Sequence, residues 1–422
     1  MVIQTPPRLL SRLALFIAIL VGVAIPLRAV GVAGEQTALG LALLASLILL
    51  ADSATIRRRV HDAVLSRTGL AVIAIFAAWV LTIFFSHNPA GSLKIGGRTA
   101  LFLLAAVVLW AALVEHEETH RLLWKTLVVA AVAFAGLTVL SLVGVPHVLS
   151  LMKAQMLVSE RPTMSFKAYA TSTMCLIPVV ILAGRRLNGA WRWWGYAFVP
   201  LALGVMILTY NRSALAGFLA MAVAGVLLLA LTRRSHAKLL IGSAFALVVA
   251  VVSWVTTREA AFSDYLQHLP GAQHGAATYL PDWLLDSHRQ NIWKFAFERF
   301  LDHPWVGNGI DQLNRLPGAK MHVPGLDNSA ALIPSHPHNW ALEILAETGL
   351  IGFLPVVMVL LFVAVKLAKR YLQNDDEADL ALFTLMAGFW ASALFNFSIW
   401  ATWWQLTFFV LFAVVAASRT KA

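Results

Sequence analysis

Of the 422 residues, 59% are hydrophobic and 13% charged, giving a mean hydropathy of +0.76. Water-soluble domains keep the apolar share nearer ~45–50%, so the composition excludes an ordinary soluble globule and points to a chain that crosses a membrane many times. The formal charge of +11 does not mark a nucleic-acid surface: segment 258–338, the longest polar stretch, holds six basic and eight acidic residues, and the surplus sits in short loops elsewhere.

Crossing about 30 Å of hydrocarbon takes about 20 helical residues, and apolar runs of that order recur along the chain. They predict an all-α polytopic membrane protein of twelve spans, at 10–30, 33–50, 68–85, 99–114, 122–145, 168–183, 194–210, 213–232, 239–257, 339–367, 380–399 and 401–417. No small-residue cleavage pattern follows the first run, which therefore reads as a span and not a cleavable leader. Three regions result: spans one to nine in 1–257, a polar segment with amphipathic helices and a catalytic loop in 258–338, and spans ten to twelve in 339–422. The single cysteine, Cys175, lies inside a span and allows no intrachain disulfide, and no CxxC-type metal pattern is present.

With the N-terminus inside, 19 of the 32 lysines and arginines fall in short cytoplasmic connections, among them Arg57, Arg58, Arg59, Arg185, Arg186, Arg233 and Arg370. Both termini are then cytoplasmic and 258–338 is external. The acidic run Asp375, Asp376, Glu377 and Asp379 reads as a solvated cytoplasmic loop. Most of the 15 tryptophans, including Trp191, Trp193 and Trp194 beside arginines, read as interfacial anchors.

Cations left on the outer side or within spans, outside the large segment, are Arg28, Lys94, Arg98, Lys153, Arg161, Lys167 and Arg212. The positive-inside bias disfavours them there and hydrocarbon penalises them, so they suggest an anionic ligand at the outer leaflet. Taken singly, Lys94, Lys153 or Lys167 is as well explained by snorkelling to lipid phosphates. Arg212 is the sharpest case, because the turn Thr209, Tyr210, Asn211, Arg212, Ser213 is too short to carry its guanidinium far from the membrane edge.

In the external segment, Ile292, Phe295, Ala296 and Phe300 recur at helical spacing, and Asp302, His303 and Pro304 stop the pattern. The spacing predicts an amphipathic helix over 286–300, its apolar stripe and Trp293 buried in the headgroup boundary and Arg289 turned toward a site. Gly307, Asn308 and Gly309 predict a tight reversal. Seven of the 13 histidines lie in 258–338, ending in Ser335, His336, Pro337, His338, Asn339 and Trp340. Pro337 suits an early helical position, which puts His338 in the first turn of span ten. There the partial positive charge of the helix start disfavours imidazolium, and a neutral imidazole can accept a proton as a general base. A zinc site from His336, His338 and Asp282 or Asp286 lacks a clear third ligand and is the weaker alternative.

The Thr-x-x-Arg-Ser turn at Arg212, Arg289 opening a Trp-containing helix, the Pro304 to Gly309 Pro-x-x-Gly-x-Gly, and His338-Asn339 followed by Leu342, Leu345, Glu347, Gly349 and Gly352 resemble the O-antigen ligase and polymerase superfamily. The resemblance implies a GT-C-type membrane glycosyltransferase of a bacterial inner membrane. It would move a glycan from undecaprenyl diphosphate on the periplasmic side, for ligases onto a sugar of lipid A-core in lipopolysaccharide biosynthesis. Displacing a diphosphate from an anomeric carbon needs cations for the leaving charge and a base for the incoming hydroxyl. Arg161, Arg212 and Arg289 are accordingly expected on the diphosphate and His338 on the acceptor hydroxyl, with inversion at the anomeric carbon. Lys94, Arg98, Lys167, Tyr169, His336, Asn339 and Glu347 are secondary candidates. GT-C transferases often carry acidic metal ligands in the first outer loop, which here offers only Glu35, so neither metal nor cofactor is expected. The expected partners are the two lipid substrates and membrane lipids, with no nucleic acid. An O-antigen polymerase or a protein O-oligosaccharyltransferase would share the donor chemistry. A lipid-linked-glycan transporter fits less well, because it calls for broken helices and charges near the midplane, whereas the polar groups gather at the outer face.

Overall fold

The computed structural model describes residues 7–145, 148, 152, 165–267, 287–322 and 331–419. Among these the chain is helical, with no strand beyond one isolated bridge between His322 and Ala331. The helices are α1 (Pro7–Ala24), α2 (Val32–Asp52), α3 (Ala54–Val64), α4 (Arg67–Ile83), α5 (Pro89–Glu115), α6 (His120–Leu142), α7 (Lys167–Leu187), α8 (Ala190–Leu208), α9 (Arg212–Thr232), α10 (Ala237–Gln267), α11 (Ser287–Asp302), α12 (Trp340–Asn374), α13 (Glu377–Ala393) and α14 (Thr402–Ala417). Several start where a short polar side chain takes the first free amides: Ser53 accepts from Ile56, Asn88 from Gly91, Asn211 from Ala214 and Asp376 from Ala378.

Each of the twelve expected apolar stretches coincides with a helix. By length and apolarity alone, seven helices qualify as crossings (α2, α5, α6, α7, α8, α9 and α12), or eight when α3 and α4, bent by 64°, are taken as one broken span. The apolar stretches of α1, α10 and α14 are shorter, and α13 has 17 residues.

The most enclosed helix is α7, whose residues Tyr169 to Val180 are all buried. Its small side chains Ala170, Thr171, Ser172, Thr173 and Cys175 let α6, α8, α9, α13 and α14 approach it closely. The α9–α13 crossing is also close: a Cβ on Gly217 would sit 2.7 Å from the Gly388 carbonyl oxygen.

One expectation fails here. The acidic run is not a solvated loop: Asp379 is fully buried between Arg370 and Arg419 at 3.1 and 2.8 Å, Asp376 pairs with Arg186 at 2.9 Å, Asp375 with Arg233 at 2.9 Å, and Glu377 with Arg185. Arginines from the ends of α7, α9, α12 and α14 meet it, because the chain returns to the same face after each even number of crossings. The tryptophans divide between surface and core. Trp193 and Trp194 are exposed, but Trp79, Trp124, Trp340, Trp400 and Trp404 are core residues.

Candidate functional site

The framework of the site is a break in α12. Gly349 has φ 61° and ψ −169°, so the helix stops after Thr348 and restarts at Leu350. The freed backbone groups are satisfied by 304–309: Asn308 N donates to Ala346 O at 3.1 Å and Gly309 N to Glu347 O at 2.7 Å. In return, Leu350 N donates to Pro304 O at 2.9 Å and Ile351 N to Trp305 O at 3.1 Å. A broken helix in hydrocarbon is tolerated only when its backbone is paired in this way. The Pro-x-x-Gly-x-Gly segment is therefore an inserted strip and not the expected reversal. Side chains cannot be accommodated at its contacts, since a Cβ on Gly307 (φ 67°) would lie 2.3 Å from Glu347 C and one on Gly349 2.3 Å from Trp305 C.

Two buried carboxylates on the short N-terminal half of α12 fix the surrounding loops. Glu347 accepts from Asp311 N at 2.7 Å, Leu313 N at 3.2 Å and Trp400 Nε1 at 2.6 Å. Glu343 accepts from Ser398 Oγ at 2.6 Å and Ile399 N at 2.9 Å. Both are occupied in holding the 310–313 and 398–400 turns, which makes Glu347 a structural anchor.

Helix α11 closes over this framework. Its stripe of Ile292, Phe295 and Ala296 packs on Leu313, Leu316, Ala319, Ile333 and Ala346, not in the headgroup boundary as expected, because the following loop folds back and covers it. Trp293 Nε1 donates to Pro337 O at 3.1 Å. This ties the helix that carries Arg289 to the loop that carries the histidines.

His338 lies outside the first turn of α12. Asn339 is the N-cap, its Oδ1 accepting from Ala341 N and Leu342 N at 3.0 and 3.1 Å, and Pro337 stands two residues before it. His338 adopts φ 55°, a left-handed conformation that costs about 1–2 kcal/mol outside glycine. Its Nδ1 lies 3.1 Å from Asn396 O. A carbonyl oxygen only accepts, so Nδ1 carries the proton and Nε2 is the basic nitrogen. His336 stacks beside it, ring centroids 4.2 Å apart, with Nδ1 2.8 Å from Ser335 Oγ. Burial, then the proximity of His338 and Arg289, pushes the His336 pKa down to about 3. His336 is therefore neutral at neutral pH.

Arg212 joins through shared hydrogen bonds. Asn211 caps α9, and its Nδ2 donates to Lys167 O at 2.7 Å and Thr171 Oγ1 at 3.1 Å. Thr171 Oγ1 also accepts from Asn396 Nδ2 at 3.2 Å, and the Asn396 carbonyl holds His338. Lys167 feels the charges of both Arg289 and Arg212. Lys167, Arg212, Arg289, His336 and His338 thus gather at one end of the bundle although they lie up to 171 positions apart in the chain.

Other expected residues go elsewhere. Arg161, Lys153, Asp282 and Asp286 lie outside the described residues. Arg28 pairs at 2.5 Å with buried Glu35 and stacks on Trp403 at 3.9 Å, so neither is available to a ligand. Arg98 donates to Trp400 O and bridges α5 to the 396–401 turn, with Lys94 exposed one turn before it. Tyr169 is buried in the core and does not line an open site. No group of three His, Cys, Asp or Glu suited to a metal occurs among the described residues. The residues missed from sequence are Asn211, Thr171 and Asn396. The one available signal was an asparagine in each of two short turns between apolar runs.

The family model described as O-antigen ligase matches residues 197–357, from within α8 past the break in α12. Proteins bearing the name polysaccharide ligase are similar over shorter stretches. That of Rickettsia prowazekii is 25% identical over 141 residues, 32% of this chain and 33% of its own length; that of Rickettsia typhi is 25% identical over 136 residues, 29% of each chain. A third, from Rickettsia conorii, is 22% identical over 120 residues, 28% of each. The match therefore spans about a third of the length of these curated relatives. The segment that joins Arg212, Arg289 and His338 is the one over which this multi-helix membrane protein is similar to the O-antigen ligase family.

Proposed function

We propose that the protein is an O-antigen ligase that transfers a glycan from undecaprenyl diphosphate to lipid A-core at the periplasmic face of a bacterial inner membrane, as a metal-independent, inverting GT-C-type enzyme. One juxtaposition carries the reading: three cations around Lys167, Arg212 and Arg289 stand beside a histidine whose tautomer leaves Nε2 basic. Like charges repel at close range, and an oligoanion seated among them relieves that repulsion. A diphosphate is such a ligand, and guanidinium forks match its oxygens bidentately.

In the reaction the acceptor hydroxyl oxygen forms a bond to the anomeric carbon while the bond from that carbon to the diphosphate breaks. His338 Nε2 takes the hydroxyl proton, with Nδ1–H kept on Asn396 O. The electron pair leaves with the diphosphate, whose growing charge meets Arg212, Arg289 and Lys167, so no divalent ion is required. Attack from the face opposite the leaving group inverts the centre. His336, neutral and stacked on His338, adds no second positive charge to the base.

The test is reconstitution of the pure protein in proteoliposomes with an undecaprenyl-diphosphate-linked glycan. Lipid A-core, a second lipid-linked glycan and an acceptor protein are offered separately. Product on lipid A-core alone is expected. Product only on the lipid-linked glycan or only on protein would reassign the enzyme to polymerisation or protein glycosylation. Movement of the carrier across the bilayer with no transfer would reject the glycosyltransferase reading.

A further inference from the structure

A second concave feature lies at the other end of the bundle. Along α7, Lys167 at the cluster and Arg186 are 19 residues apart, about 28 Å at 1.5 Å per residue, close to the thickness of the hydrocarbon core. Around Arg186 a cleft of about 480 Å³ opens between the first turn of α6, the end of α7 and the end of α14. Its walls include His120, Arg121, Trp124, Arg186, Asn188 and Ser418.

The lining is cationic. Arg121 is exposed at the cleft, and Arg186 directs Nη2 to Asp376 while its Nε has no partner among the described residues. Two guanidiniums thus line the cleft, with Asp376 on Arg186 and with Glu117 and Glu118 close enough to His120 for their charge to act on it. His120 Nε2 donates to Leu113 O at 2.9 Å, which fixes the ring on the cleft wall.

The surroundings fix the depth. Trp193 and Trp194 are 64% and 54% exposed on the next helix, Arg192 lies 5.2 Å from the Trp193 ring, and Lys125 lies 5.9 Å from Trp191. Indoles and cations in one belt mark the headgroup level of a bilayer. A basic cleft at that level, on the face whose short loops hold most of the lysines and arginines, faces anionic lipid. We propose that this cleft binds the headgroup phosphate of an anionic phospholipid of that leaflet, clamping α6 to α7 and to the end of α14.

The full-length protein, purified in detergent, is titrated with phosphatidylglycerol and with phosphatidylcholine, and bound lipid is counted by native mass spectrometry. Wild type is expected to retain phosphatidylglycerol preferentially. Arg121→Gln should weaken that binding about fivefold, the order expected for one cation at an anionic surface. Arg121→Lys should keep most of it. Arg58→Gln, which removes an 85% exposed arginine from α3 on the same face, should leave it unchanged. Equal retention of the two lipids, an Arg121→Gln affinity equal to wild type, or an equal loss in Arg58→Gln would overturn the proposal. Displacement of the lipid by millimolar inorganic phosphate would reassign the cleft to a soluble anion. The readout is lipid binding, so it stands or falls separately from glycan transfer.

Discussion

Gly349→Ala is the sharpest test of the broken-helix framework. An alanine Cβ there would lie 2.3 Å from Trp305 C, and the neighbouring atoms are backbone on both sides. Ordinary carbon contacts need about 3.5–4.0 Å, so the 304–309 strip must move by more than about 1 Å. Four interchain-like hydrogen bonds join that strip to 346–351, each worth about 0.5–1.5 kcal/mol net. The backbone conformation at φ 61° and ψ −169° costs a non-glycine residue a further ~1–3 kcal/mol. Losing the strip therefore costs at least about 3 kcal/mol, a large part of a typical net stability of about 5–15 kcal/mol. Thermal unfolding in detergent, followed by tryptophan fluorescence, should show this loss, and limited proteolysis should open 304–309. Gly136→Ala, in a helix with open space around it, should change stability by no more than about 1 kcal/mol. A Gly349→Ala protein as stable and as protease-resistant as wild type would refute the reasoning.

The remaining expectations concern chemistry. His338→Ala should lower single-turnover transfer by about 10²–10⁴-fold at matched membrane level while donor binding persists; near-normal turnover would remove its assigned role. Arg212→Ala and Arg289→Ala should weaken both donor affinity and turnover, and Arg289→Lys should restore only part, because an ammonium lacks the planar fork; full recovery with lysine would mean that charge alone matters. Transfer should persist after exhaustive chelation, and activity that returned only with zinc, magnesium or manganese would overturn the arginine mechanism. Since the folded protein binds a proton at His336 only near pH 3 while an unfolded histidine does so near ~6.5, the unfolded state holds more protons between these values. Stability from this residue is complete above about pH 6.5 and lost as pH falls toward 3. His336→Gln should flatten that slope, and an unfolding slope unchanged between about pH 6.5 and 4 would count against the burial of the ring.

The helices were legible because each crossing is an apolar run of nearly continuous hydropathy, a local property of the chain. Arg212 and His338 stood out as candidates for a related reason, since each is a charged or titratable group at the edge of such a run, whereas Arg289 lies within the polar segment. What escaped the sequence is long-range pairing. Glu347 meets Trp400 and Glu343 meets Ser398, more than 50 residues away, so nothing adjacent identifies them as anchors. The run at Asp375 to Asp379 looks solvated until arginines from four helices are brought to it. Asn396 acts on His338 through its backbone carbonyl, which no side-chain pattern can signal.

The break at Gly349 also bears on how the protein is assembled. Below it, residues 350–374 form a helix of about 37 Å, long enough to cross about 30 Å of hydrocarbon unaided. The piece above, residues 340–348, need not be threaded through the bilayer as part of that crossing. Its final position depends on a strip of backbone, 304–309, that is synthesised earlier. The histidine loop therefore reaches its working shape only after the 304–309 strip has met residues 346–351, so a protein fully inserted but trapped before that meeting would have every helix in place and no assembled site.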